Sequence, residues 1–168
     1  MKFRKLFPGT TVKIWCETYW HFGLIDQTGV RVIHNSKKHG KVVRESLVDF
    51  AGGADVLVCD EVFSRNVTAA IQRAEKAIGL AYNLWSANCE HFVRWAHGLE
   101  PASPQLQRAL ATAAGLALLA SSNPLVKAAG IGSIAGSWLA PKGSSPAAAA
   151  FGVSALAVTF ALLASAGG

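Results

Sequence analysis

Hydrophobic and polar positions follow two different rhythms along this chain. From residue 11 to about residue 60, short runs rich in branched and aromatic side chains alternate with turn-forming residues, which is the mark of strands. The runs predict strands at 11–17, 19–26, 30–35, 41–44 and 55–60, with a turn at Asp26-Gln27-Thr28-Gly29 and a loop at Ala51-Gly52-Gly53. From residue 64 the repeat lengthens to the helical period. Val67, Ala70, Ile71, Ala74 and Ile78 share one face, with Ser64 placed to cap the helix and Gly79 to end it. After a loop through residues 82–86, Cys89, Phe92, Val93 and Ala96 repeat the pattern behind the N-cap candidate Asn88. Strands first, helices second and short connections between strands predict an α+β domain with an antiparallel sheet and packed helices.

Near Glu100 the pattern changes again. Beyond it no acidic residue occurs, and Arg108, Lys127 and Lys142 are the only charges. Three apolar stretches follow, at 109–120, 125–140 and 146–166, the first two separated by Ser121-Ser122-Asn123-Pro124. The last is free of charge and, at 1.5 Å per residue, long enough to cross a hydrocarbon core about 30 Å thick. Gly132-x-x-x-Gly136 permits close helix contact within the second. The chain therefore divides into a mixed domain at 1–100 and an apolar, Ala/Gly-rich helical C-terminal tail at 101–168. The tail reads as a membrane anchor; the alternative is a helical extension that packs on the domain.

Charge and cysteine content narrow the setting. The formal net charge of +6 suits an anionic membrane surface, with Lys2, Arg4, Lys5, Lys37, Lys38 and Lys41 as the basic elements. Those residues follow no nucleic-acid-binding module, so no nucleic-acid partner is expected. Cys16, Cys59 and Cys89 are an odd number at no framework spacing, which favours free thiols in a reducing compartment. The basic start, Met1 to Phe7, is not followed by the apolar run of a secretory signal. The expected location is membrane-associated with the N-terminal domain cytoplasmic.

The chemistry concentrates in Asn88-Cys89-Glu90-His91-Phe92-Val93. A cysteine in the first helical turn faces unpaired N–H groups and the positive end of the helix dipole, which favours its thiolate. Glu90, Arg94 and His97 are expected on the solvated side. Upstream, a hairpin centred on Gln27 and Thr28 would set Ile25 opposite Val30, Gly23 opposite Val32 and His21 opposite His34. Two imidazoles would then stand side by side, with Gly23 leaving room beside them. One ring can orient the other, as a base serving a nucleophile requires. His39 reads as a loop residue. No CxxC, HxxxH or HExxH pair occurs, and Cys89 and His91 diverge on a helix, so neither a metal nor a cofactor is called for.

The cysteine motif, together with Tyr19-x-His21-Phe22-Gly23-Leu24 and Val32-Ile33-His34, resembles the lecithin:retinol acyltransferase-like (LRAT domain) family. The likeness covers about residues 8–98, from Pro8-Gly9-x-x-Val12 through Ser46-Leu47-Val48-Asp49-Phe50 to the cysteine helix. It implies a circularly permuted papain-like fold of the wider NlpC-type group. It also implies that Cys89 is the nucleophile, His21 the general base and His34 the residue that orients His21, while Tyr19 matches a position that donates toward the oxyanion. The activity implied is that of a membrane-associated thiol acyltransferase or phospholipid acyl hydrolase working through a cysteine thioester, with a phospholipid or other acyl donor and the membrane as partners. A cysteine amidase or peptidase with the same triad, and a catalytically idle membrane-inserting protein, are the alternatives.

Overall fold

The computed structural model describes residues 6–83, 88–100, 102–140 and 145–166. Lys2, Arg4, Lys5 and Lys142, and most of the loop expected before the cysteine helix, lie outside the described residues. The chain forms two compact units, the first ending at Ser103 and the second beginning at Pro104.

Five antiparallel strands make the sheet of the first unit. They are β1 (Thr11–Cys16), β2 (Tyr19–Ile25), β3 (Arg31–Ser36), β4 (Lys41–Ser46) and β5 (Leu57–Val58), in the spatial order β4-β3-β2-β1-β5. β4 runs two residues further than its apolar pattern indicated, because Arg44, Glu45 and Ser46 continue the ladder opposite Ile33, Val32 and Arg31. β5 is reduced to two residues beside Val12 and Lys13.

The β2–β3 register differs from the expected one by two residues. Ile25 pairs with Val32 rather than Val30, and Leu24 with Ile33. Asp26 explains the shift: its N–H reaches the Arg31 carbonyl, and its Oδ1 accepts from the Thr28 N–H and hydroxyl, so residues 27–30 form the loop. A slip of two keeps every side chain on its face. The ladder between β2 and β3 consists of Leu24 with Ile33 and Ile25 with Val32, so the first half of β2 does not pair with β3.

Both faces of the sheet are covered. Phe22, Leu24 and Ile33 pack with α2 (Val67–Lys76) and α3 (Cys89–Ala96) in one core cluster. Val12, Ile14, Ile25 and Val32 pack with Leu47 and Phe50 of α1 (Leu47–Ala51) in the other. The one-turn helix α1 was not foreseen. Ser46 caps it, accepting from the Asp49 N–H and donating to Oδ2 of the same residue. Asn66, not Ser64, caps α2 through a bond to the Ala69 N–H, because Ser64 is occupied with His97.

His97 is buried, contrary to the solvated position expected of it. Its Nε2–H donates to Thr11 Oγ1 (2.9 Å), whose hydroxyl donates to the Val62 carbonyl, while Nδ1 accepts the Ser64 N–H (3.2 Å). The far end of α3 is thereby tied to the start of β1. Glu90 is buried too and accepts from the Ser103 hydroxyl at 2.7 Å, and Arg94 turns to the Glu100 carbonyl rather than to Glu90.

The second unit consists of α4 (Pro104–Leu119), α5 (Pro124–Leu139) and α6 (Pro146–Ala166). Its interior is built from small residues: a Cβ on Gly132 or Gly136 would strike the backbone of α6 at Ser154 or Ala149. Hydroxyls cross between helices to carbonyls, Ser133 to Ala111 and Ser154 to Ala129. The large apolar side chains point outward, Ile131, Trp138, Leu139, Phe151 and Leu156 among them. Among the described residues no helix is long and apolar enough to cross a membrane. The stretch expected to span is α6, where Phe160 and the side chains after Leu162 lie outside the described residues.

Candidate active site

Asn88 caps α3 as expected, its Oδ1 accepting from the N–H groups of Glu90 and His91, both at 3.0 Å. This places Cys89 at the first helical position, buried against β2. Because the β2–β3 ladder reaches only Leu24 and Ile33, the first half of β2 can meet the start of α3. The Cys89 Sγ–H is directed to the Trp20 carbonyl at 3.8 Å, and the N–H of Phe22 faces the same sulfur. The thiol thus rests against the main chain on either side of His21.

The helix terminus does not make Cys89 a resting thiolate. Burial pushes the thiol up to about 12, against the pull of the N–H groups of Phe22, Glu90 and Cys89 itself. Desolvation of a charge outweighs a few aligned dipoles here.

His21 and His34 meet on the α1 side of the sheet. His21 Nε2 lies 2.8 Å from His34 Nδ1, with ring centroids 4.9 Å apart. Phe50 lies against both rings, at 5.4 and 5.1 Å between centroids. The space at Gly23 is not open to a ligand, since Val32, Phe50 and the His34 Cβ fill it. His34 Nε2 then reaches Glu45 Oε2 at 2.8 Å, and Glu45 Oε1 reaches His39 Nε2 at 2.7 Å. Burial lowers His21 to about 4, helped by its neighbour His34. Burial also lowers His34, with Glu45 pulling the other way. Burial alone would raise Glu45, but the hydrogen bonds from His34 and His39 hold it below the ordinary carboxylate value.

Tyr19 is partly exposed at the start of β2, opposite Cys16 and with its ring 6.4 Å from that of His21. Burial raises its phenol, and so does negative charge on Cys16 or Cys89, which puts it within electrostatic reach of the sulfur. Tyr82 stands in the same relation to Cys89.

Sequence reasoning gave no place in the site to Glu45, Phe50 and Tyr82, and read His39 as a loop residue only. A signal for the first existed: carrying β4 past Arg44 sets Glu45 opposite Val32, one step along the same face from His34. Together these groups form a buried thiol, a pair of neutral imidazoles and a carboxylate behind them. Their contacts join His21, His34, Glu45 and His39 in one row and set Cys89 against the main chain beside His21, with no hydrogen bond between the sulfur and an imidazole among the described residues.

An α+β unit that seats a helix-terminal cysteine against a histidine-bearing strand defines a class, and comparison with known proteins gives it a family. The chain belongs to the lecithin retinol acyltransferase family, whose pattern matches residues 4–99. A lecithin retinol acyltransferase of Rattus norvegicus is 39% identical over 70 residues, a stretch covering 38% of this chain and 30% of that protein. The chain thus matches less than a third of that relative's length.

Proposed function

We propose that this protein is a membrane-associated thiol acyltransferase that takes an acyl group from a phospholipid or similar lipid ester onto Cys89. The observation that carries this reading is the seating of the Cys89 sulfur against the main chain on either side of His21, between the Trp20 carbonyl and the Phe22 N–H, with the His21 ring held by His34. The element order, strands with histidines ahead of the cysteine helix, supports reading the first unit as a circularly permuted papain-like domain.

The resting thiol is a poor acid and His21 a weak base, so the proton moves as the sulfur attacks and not before. Sγ bonds to the ester carbonyl carbon while its proton passes to His21 Nδ1, and the carbonyl π electrons move to oxygen. His34 holds the His21 ring through this step. Backbone N–H groups around the sulfur, with Tyr19, serve the oxyanion. Collapse breaks the carbon–oxygen bond of the ester, and the imidazolium returns its proton to the departing alcohol. An acyl thioester on Cys89 remains, and an acceptor alcohol, amine or water takes the acyl group by the same path.

Support for membrane association comes from the second unit, where glycine, alanine and serine face inward and leucine, isoleucine, phenylalanine and tryptophan face out. That arrangement suits a unit whose outer side chains meet a lipid surface, with close packing of small residues and satisfied hydroxyls holding its helices together. The catalytic unit is assigned to the cytoplasmic side.

The test is to incubate the purified protein with phospholipid vesicles, quench in acid and map adducts by mass spectrometry. An acyl mass on Cys89 from lipid, and none from peptide substrates, is the expected result. Adduct formation from peptides alone would move the assignment to an amidase or peptidase.

A further inference from the structure

Glu45 sits between two imidazoles, and its charge state dictates how their protons are arranged. An ionised carboxylate only accepts hydrogen bonds, so both contacts run towards it: His34 Nε2–H to Oε2 at 2.8 Å and His39 Nε2–H to Oε1 at 2.7 Å. A neutral imidazole carries one N–H. With that proton on Nε2, His34 offers a lone pair at Nδ1, and the atom 2.8 Å away, His21 Nε2, must be the donor. His21 is then left with its own lone pair on Nδ1, the position from which it can take a proton. Arg44, the neighbour of Glu45 on β4, does not compete for this carboxylate; it is turned to Asp26 and Glu75.

We propose that Glu45 is a positioning residue of the active site, the carboxylate that fixes the direction of the His39–Glu45–His34–His21 row and so selects the His21 tautomer able to serve Cys89. The proposal rests on the reading of His21 as base and Cys89 as nucleophile. His39 forms the surface end of the row, more exposed than Glu45. An amide at position 45 would present its oxygen to one imidazole and its NH2 to the other. With the NH2 towards His34 the row reverses, and His21 carries its proton on Nδ1, where the thiol needs a lone pair.

The experiment combines ¹⁵N NMR of histidine-labelled full-length protein with the rate of acyl adduct formation on Cys89 from phospholipid vesicles. Wild type is expected to show both His21 and His34 protonated on Nε2. Glu45→Gln should shift His21 towards the Nδ1–H form and lower the rate on the order of 10²–10⁴-fold, the scale seen when a catalytic histidine is held in the wrong tautomer. Glu45→Asp should keep the wild-type tautomer and restore most of the rate. Nδ1–H at His21 in wild type would overturn the proposal without any variant having to fold. So would a Glu45→Ala protein, which offers His34 neither an oxygen nor an NH2, if its His21 tautomer and rate match wild type, whatever its melting temperature. Adduct formation that survives Cys89→Ser would instead remove the nucleophile reading, and the tautomer measurement on Glu45 would still stand or fall by itself.

Discussion

Replacing Gly23 with alanine adds one methyl group at the most crowded point behind the histidine pair. An ideal Cβ there would lie 2.3 Å from Val32 Cγ1, 3.1 Å from Phe50 Cε2 and 3.3 Å from the His34 Cβ. The first distance is well inside contact range, and its partner is a fully buried side chain. Insertion of a methyl into a packed core costs about 1–3 kcal/mol. The groups that must yield are those holding His21 and His34, so catalysis should suffer along with stability. Urea unfolding measures the first effect and the rate of acyl adduct formation on Cys89 the second. A partner variant makes the reasoning sharper. Val32→Ala alone leaves a cavity and should itself destabilise, but in combination with Gly23→Ala the new methyl occupies part of the vacated space. The double variant should be more stable than the sum of the two losses indicates, by about 1 kcal/mol or more. Strict additivity, or a Gly23→Ala protein as stable as wild type, would refute the claim that this glycine is kept for the close approach of Val32 and Phe50.

Cys89→Ser is expected to abolish the acyl adduct with the circular dichroism spectrum unchanged, whereas Cys16→Ser and Cys59→Ser retain it; equal loss in all three would remove Cys89 as sole nucleophile. Folding stability should fall on acidification from about pH 6.5 to about pH 4. Burial depresses His21 and His97 to about 4 in the folded state, so the unfolded chain binds more protons in that window and the stability present above it is lost as pH falls. Each group accounts for at most about 3 kcal/mol, and His97→Gln should flatten the slope of unfolding free energy against pH by up to one proton. Phe151→Glu and Leu139→Glu, on side chains 80% and 78% exposed, should lower co-sedimentation with phospholipid vesicles several-fold while leaving helix content intact. Undiminished sedimentation of both would contradict a lipid-facing surface on the second unit.

The histidine pair was legible in the sequence for a reason that survives the error in its derivation. The hairpin was read with its loop two residues too short, yet a shift of two preserves the face, and the longer imidazole reach closes the diagonal. Asn88 as cap and Cys89 at the helix start were also legible, since both depend on local chemistry. What the sequence could not show was set by burial. The same residues that bring Cys89 to β2 strip it of water, and the loss of hydration reverses the direction expected from the helix dipole. His97 and Glu90 followed the helical period to the wrong side because their partners, Thr11, Ser64 and Ser103, are chosen by tertiary contact. Glu45 was hidden by the end of an apolar run, although the strand continued beneath it.

The parting of β2 and β3 has a bearing on what this site can tolerate. The sulfur of Cys89 is held by the carbonyl of Trp20 and the N–H of Phe22, groups that every residue except proline supplies in full. Its position is therefore written in the path of the backbone rather than in the identity of the flanking side chains. The half-buried side chain at position 20 can vary among strand formers with the sulfur held where it is, whereas Phe22 is fixed by its place in the core.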